Sequence, residues 1–331
     1  MSSNPIQRLP PFFIVGCTRS GTTLISRMLD SHSNLAVYHE SHFYHLLHHD
    51  LHRYGDLKQL ANLRRFITDV REVLRRQKKM PPPEEKEFLD ALSAPTFENV
   101  LAAMLHLYAK QQEKIRGGDK TPGHHSYLGE ILEKLPGSPV IFVLRDPRDA
   151  VLAIREKFGV SLKGATALWN AAFVSYTKFS RRVHLVRYED LVRRPVETVQ
   201  AMCAYLGEKY EPDMLRFFEH IPARLAKIRY NQDLLGPVEP SHIGRFRELP
   251  RRDIEQIEAA CGIGMESMGY EFSGAKPKFL AIKPPTKLAF IIDRLRFYRW
   301  DWGRWQRGWI RWKIVPRLRA RYFLSLGWLR D

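Results

Sequence analysis

Two short runs of consecutive apolar residues stand out along the chain, Phe12-Phe13-Ile14-Val15 and Val140-Ile141-Phe142-Val143-Leu144. Unbroken apolar runs of this length, rich in β-branched and aromatic residues, predict strands buried on both faces of a parallel sheet. A polar turn follows each run, and helical spacing follows each turn: Leu24, Ile25, Met28 and Leu29 after the first, residues 150–158 after the second. Between the two units, residues 43–79 and 84–115 read as amphipathic helices separated by a stiff Met80-Pro81-Pro82-Pro83 linker. Strands that alternate with helices in this way predict an α/β fold with a mostly parallel central sheet flanked by helices.

The first turn carries the most specific chemistry. Gly16-Cys17-Thr18-Arg19-Ser20-Gly21-Thr22-Thr23 leads from a strand into a helix N-terminus. There, unpaired backbone N–H groups and the helix dipole favour an anion. Ser20, Thr22 and Thr23 add hydroxyl donors, and Arg19 adds a guanidinium fork suited to phosphate or sulfate. A nucleotide-hydrolase loop would need Lys after the second glycine; here that position is Thr22, and the nearest cation precedes the glycine. The second strand ends in Arg145-Asp146-Pro147-Arg148-Asp149. Because ligands of open α/β sheets bind beyond the carboxyl ends of the strands, Arg145 is expected at the same rim as Arg19.

Arg19-Ser20-Gly21-Thr22-Thr23 after a hydrophobic strand resembles the 5′-phosphosulfate loop of sulfotransferases that use 3′-phosphoadenosine-5′-phosphosulfate (PAPS), closest in motif style to bacterial and tyrosylprotein-type members. Further matches follow in the family's order over roughly residues 10–272: Gly118-Asp119-Lys120-Thr121-Pro122, the Arg145 motif, a strand into Tyr188-Glu189-Asp190-Leu191, a helix from Pro195 to Leu206-Gly207, and Ser241-His242-Ile243-Gly244-Arg245-Phe246-Arg247. The resemblance implies a P-loop sulfotransferase fold and PAPS as sulfuryl donor; with Arg and Lys as the cations at hand, no metal is expected to be required. It gives Arg19, Ser20, Gly21, Thr22 and Thr23 the 5′-phosphosulfate, Arg145 the 3′-phosphate, Tyr188 a place near the adenine, and Arg245 a place in a segment folding over the nucleotide. It makes Lys120 the cation on the bridging oxygen and Glu40 the general base, with His39 and His42 in reserve. The family usually has Ser eight residues after the Arg145 position; here Ala153 stands there, and Arg155 would replace the lost contact only if its helix turned it inward.

The charge is uneven. Of a net +17, residues 276–331 hold +12, from 15 Lys/Arg against three Asp/Glu, together with six of the seven tryptophans. This divides the chain into a sulfotransferase-like domain, 1–275, and a basic, Trp-rich tail, 276–331. Ile291, Leu295, Tyr298, Trp302, Trp305, Trp309 and Trp312 fall on one helical stripe, with arginines around it. Such a helix suits a membrane interface, and with it a lipid, glycolipid or other membrane-held acceptor. Packing on the protein's own body, pairing in a homodimer and, least favoured, a nucleic-acid groove are the competing readings. Cys17, Cys203 and Cys261 are odd in number and scattered, against a disulfide framework or zinc site. With no apolar leader and no run long enough to span a bilayer, they predict a cytoplasmic protein, peripheral at the inner face of a membrane if the tail binds there. The histidines between His32 and His52 read as a polar helix surface, with metal binding as the minority alternative. A P-loop kinase or nucleotide hydrolase, and a non-catalytic adaptor using the tail, are the other function classes open to the chain.

Overall fold

The computed structural model describes residues 9–220 and 234–278. Five strands form one parallel sheet: β1 (Phe12–Gly16), β2 (Leu35–His39), β3 (Arg116–Lys120), β4 (Val140–Leu144) and β5 (His184–Arg187), in the order β2-β3-β1-β4-β5. Both apolar runs are strands, and they pair directly, Ile14 opposite Ile141. From β1 the chain passes through α1 (Thr22–Asp30) to β2 on one side. From β4 it passes through α7 (Pro147–Phe158) and α8 (Leu162–Phe179) to β5 on the other. The winding therefore reverses between β1 and β4, which opens a crevice at their carboxyl ends, where the loop before α1 and Arg145 both lie.

Side chains of β1 alternate between two buried layers. Phe13 and Val15 pack with α5 (Phe97–Gln111), α8 and α11 (Arg251–Ser267), while Phe12 and Ile14 pack with α1 and α10 (Pro195–Leu206). The remaining described helices are α2 (Phe43–Leu47), α3 (Leu60–Gln77), α4 (Glu85–Ala91), α6 (Leu128–Lys134) and α9 (Tyr188–Arg193).

Both long helices expected between 43 and 115 are broken. The first stops at α2, runs through a 3-10 turn to Arg53, and resumes at α3 after Gly55, whose φ of 73° belongs to the left-handed region. The second breaks after Ala91; Pro95 bars a continuing helix, and Thr96 caps α5 by accepting a hydrogen bond from the Asn99 amide at 3.2 Å.

Strand β3 has no apolar side chain, yet all five of its residues are buried. Its two glycines explain how. A Cβ on Gly117 would lie 2.1 Å from the Leu105 carbonyl oxygen, and one on Gly118 would lie 2.4 Å from the Phe12 ring. The strand is buried because its neighbours press against bare backbone, a signal that hydropathy does not carry. The stripe from Ile291 to Trp312, and the tail beyond residue 278 generally, lie outside the described residues. Among those that are described, no helix is long and apolar enough to cross a membrane.

Candidate active site

The loop between β1 and α1 is built for close approach. Gly16 has φ 139°, and a Cβ there would collide with the Val143 backbone at 2.1 Å. Gly21, the N-cap of α1, has φ 92° and supports the Tyr188 ring, 2.6 Å from where its Cβ would be. Arg19 is left-handed too, with φ 64°. No acidic residue lies in the first turn of α1 and no side chain caps it, so the positive end of its dipole faces the crevice. Ser20 and Thr22 are buried, and Thr23 is half-buried at the rim. Cys17 is buried beneath the loop; burial pushes its thiol up to about 12, which keeps it protonated and unreactive.

Strands β2 and β3 run side by side, His39 opposite Lys120, and so bring together residues eighty apart in the chain. Lys120 is wholly buried, and its Nζ lies 2.8 Å from Glu40 Oε1, 3.2 Å from His39 Nε2 and 3.3 Å from Thr23 Oγ1. An ammonium has three N–H donors, and these contacts account for all three. Burial lowers the Lys120 pKa, and Glu40 pulls it back up only in part. Burial pushes the Glu40 carboxyl up, but Lys120, His39 and His42 together outweigh it and hold the group well below the usual carboxylate range. Glu40 is therefore ionised. His39 is driven well below its ordinary value by burial first and by Lys120 second, so it stands neutral and accepts from Lys120. His42 Nε2 lies 3.7 Å from Glu40 Oε2, on the far side of the carboxylate.

Beneath this group, Asp119 accepts from the Ser41 amide at 3.1 Å and lies 2.9 Å from His124 Nδ1. His124 stacks on His45, their ring centroids 5.2 Å apart. Burial lowers the pKa of both imidazoles. The histidines of the 42–48 stretch thus divide between the carboxylate and an aromatic layer with Tyr44 and Tyr127. Among the described residues no three His, Cys, Asp or Glu side chains are grouped to hold a metal ion.

Arg145 continues the rim past β4. Its guanidinium lies 4.5 Å from the centroid of the Tyr188 ring, 3.6 Å from Asp149 Oδ2 and 3.5 Å from the Arg19 carbonyl, and it donates to the His242 carbonyl. Tyr188 opens α9 rather than ending a strand, and its neighbour Glu189 accepts from the Asp146 amide and the Tyr270 hydroxyl. Asp149 accepts from the amides of Gly244 at 2.7 Å and Phe246 at 2.8 Å, which docks the late Gly-Arg-Phe-Arg segment on α7. Within that segment Arg245 pairs with Glu156 at 2.9 Å and with Glu248 at 3.5 Å. Ala153 is buried, and Arg155 pairs with Asp253 on α11 at 3.1 Å, leaving the position near Ala153 unfilled by it.

The structure thus gathers Arg19, Ser20, Gly21, Thr22, Thr23, Glu40, Lys120, Arg145 and Tyr188 around one crevice, while Arg245 is held by Glu156. Sequence reasoning missed Asp149, which lay in plain view two residues after the Arg145 motif's proline, and Lys79 and Gln77, for which no signal existed. Lys79 Nζ binds the carbonyls of His39 and Glu40, and Gln77 binds that of Ser41.

Comparison with known proteins bears on the fold and the family. The fold matches the sulfotransferase domain of the Synechococcus PCC 7002 olefin synthase with a TM-score of 0.52 and 20% identity, over 82% of this chain and 99% of that one. A sulfotransferase domain from the curacin biosynthetic pathway aligns at a TM-score of 0.49 and 20% identity, over 80% of this chain and 100% of that one. An uncharacterized protein of Aquifex aeolicus (strain VF5) is 23% identical over 66% of this chain, which spans only 28% of that protein's length. The model of the sulfotransferase family matches residues 10–212, a span that includes the loop, Glu40, Lys120, Arg145 and Tyr188. With more than half of its length matched in this way, the chain belongs to the sulfotransferase family.

Proposed function

We propose that the protein transfers a sulfuryl group from PAPS to a hydroxyl or amine of an acceptor. The observation that carries this reading is the placement of one buried ammonium, Lys120, between a hydroxyl of the anion-binding loop (Thr23) and an ionised carboxylate (Glu40). The loop fits such a donor: an acid-free helix N-terminus, two positive-φ glycines that let the loop pack against Val143 and Tyr188, and Arg19 beside it. Arg145 fits the donor's second phosphate, its guanidinium buried at the strand end and stacked on Tyr188. When bound, the donor supplies an electrophilic sulfur and a phosphate leaving group.

The chain's own residues do the rest. Arg19, the amides through Thr23 and Lys120 hold negative charge where it grows during transfer. Glu40 takes the proton of the acceptor's nucleophilic group. While Lys120 grips it, Glu40 is a weak base. An anion that draws the ammonium toward the loop loosens that grip and raises the carboxylate's proton affinity, so Glu40 gains basicity as the donor side fills. His39, neutral and hydrogen-bonded to Lys120, serves this reading as the ammonium's acceptor, and His42 stands in reserve on the carboxylate's other side. Arg245, paired with Glu156, keeps a role in closing the segment over the nucleotide rather than in direct contact.

The acceptor falls to the same proposal. The segment between β2 and β3 borders the base and is where acceptor recognition is placed, since inserts carry specificity on α/β scaffolds. The basic Trp-rich tail, read as a unit of its own from residue 276, supports a lipid, glycolipid or other membrane-held acceptor and a peripheral place at the inner face of a membrane. A homodimer built through the same stripe is the alternative use of the tail.

The first experiment is a calorimetric titration of the full chain with 3′-phosphoadenosine-5′-phosphate, the desulfated donor, beside Arg19→Ala and Arg145→Ala. Binding by the wild type that both substitutions abolish supports the donor site. No binding by the wild type overturns the reading and directs attention to the tail.

A further inference from the structure

The turn that carries Glu40 is unfavourable on its own backbone. Glu40 has φ 55° and His42 has φ 51°, a left-handed conformation that residues with a Cβ avoid. The turn persists because distant groups bind it. The Glu40 amide donates to the Lys120 carbonyl at 2.6 Å and the Ser41 amide to Asp119 at 3.1 Å. Three consecutive carbonyls are then bound from the tip of α3. Lys79 Nζ donates to His39 O at 2.5 Å and Glu40 O at 2.8 Å, and Gln77 Nε2 donates to Ser41 O at 2.8 Å. Gln77 is itself held by the Tyr38 hydroxyl at 2.7 Å, and Lys79 lies over the Tyr38 ring, 5.4 Å from its centroid.

The carbonyls of His39 and Glu40 belong to the two peptide units that flank the Glu40 Cα. In an extended strand successive carbonyls point to opposite sides, whereas in a helical or left-handed conformation they point to the same side. One ammonium can reach both only in the second case. Lys79 therefore selects the backbone conformation of the residue that carries the carboxylate, and that conformation directs the side chain back onto Lys120 of the neighbouring strand.

We propose that Lys79 is a positioning residue for catalysis: by bridging the two carbonyls on either side of Glu40 it locks the left-handed turn and aims the carboxylate. This rests on the reading of Glu40 as the base. Lys79 lies just past the end of α3, so the insert proposed to meet the acceptor is also the element that sets the base, joined to it through Lys79 and Gln77.

The test uses the full chain with Lys79→Met, which keeps the apolar stem, Lys79→Arg, which keeps two donors, Glu40→Gln, and the double variant Lys79→Met/Glu40→Gln. Two readouts are independent of turnover. Amide hydrogen exchange at Glu40 and Ser41 in the ligand-free protein should quicken roughly tenfold or more in Lys79→Met, from loss of charged hydrogen bonds. Exchange should stay near wild type in Lys79→Arg. Calorimetric affinity for 3′-phosphoadenosine-5′-phosphate should stay within about twofold of wild type in both, because the donor contacts are elsewhere. The third readout is transfer of labelled sulfuryl from PAPS to water or p-nitrophenol, followed as labelled sulfate or p-nitrophenyl sulfate. Lys79→Met should lower kcat roughly tenfold to a hundredfold, the scale of a misplaced catalytic group, and Lys79→Arg should restore most of it. The double variant should be no slower than Glu40→Gln alone, since Lys79 acts only through Glu40. Unchanged exchange in Lys79→Met, or losses that multiply in the double variant, would overturn the inference. Full turnover in Glu40→Gln would instead overturn the reading of the base, with the exchange result still deciding whether Lys79 holds the turn.

Discussion

Replacing Glu40 with Gln isolates the contact on which the proposed chemistry depends. The change keeps the side chain's volume and leaves the fully buried Lys120 ammonium facing a neutral amide. Removing one partner of a buried ion pair typically costs about 3–5 kcal/mol. Glu40 is 31% exposed and Gln still offers one acceptor, so about 2–3 kcal/mol is the expected loss here. At roughly 2 °C per kcal/mol for a chain of this size, the unfolding midpoint should fall by about 4–6 °C. The pH dependence makes the test sharper. The folded Glu40 carboxyl lies well below its ordinary value, so the pair's contribution is present above the unfolded value of about 4.3 and is lost as pH falls through the folded one. Lys120 behaves in the opposite sense: burial lowers its folded value and Glu40 raises it. Without Glu40 that value drops further, the unfolded chain binds the extra proton up to about pH 10.4, and the variant recovers stability as pH rises. The deficit should therefore be largest near neutrality and close toward both ends. Differential scanning calorimetry of the two proteins across pH measures this directly. A deficit that ignores pH, or a variant as stable as wild type at neutrality, would refute the paired carboxylate.

Other consequences are checked separately. The same Glu40→Gln protein should lose most of its turnover while binding 3′-phosphoadenosine-5′-phosphate at least as tightly as wild type, because Lys120 is released toward the anion; weaker binding in the titration would contradict this. Asp149→Asn leaves one of the Gly244 and Phe246 amides without an acceptor, at about 1–3 kcal/mol. Hydrogen exchange across residues 240–248 should quicken and nucleotide affinity should fall, with kcat at saturating donor retained. Gly21→Ala places a methyl 2.6 Å from the Tyr188 ring at a φ of 92°, so a loss of about 1–3 kcal/mol in denaturant unfolding and a weakened nucleotide site are expected. A Gly21→Ala protein with wild-type affinity would show that the ring contact does not shape the site.

Much of the proposed donor side was legible because it is local. The first strand, the loop and the start of α1 are contiguous, and each carries its own signal: an apolar run, two glycines with positive φ, and hydroxyls ahead of helical spacing. Arg145 was legible for the same reason, since it directly ends the other apolar strand. The long helices failed where a local breaker, Gly55 or Pro95, outweighed periodicity that continued on both sides of it. Ala153 was readable as a departure, but that Arg155 is taken by Asp253 depends on where α11 packs.

The amino-acid sequence alone determined the α/β class, the glycine loop between the first strand and helix, the cations around it and the uneven distribution of charge, because these follow from residues adjacent in the polypeptide. Only the tertiary structure decided how Lys120 and Glu40 come together. Arg116-Gly117-Gly118-Asp119-Lys120 is a buried strand solely because Leu105 and Phe12 close on its glycines. That burial sets Lys120 against a carboxylate eighty residues earlier in the chain, in a turn whose carbonyls Lys79 binds. Pairing across strands, desolvation and a backbone conformation imposed from outside belong to no single stretch of sequence, and together they determine which of these groups is charged and where it points.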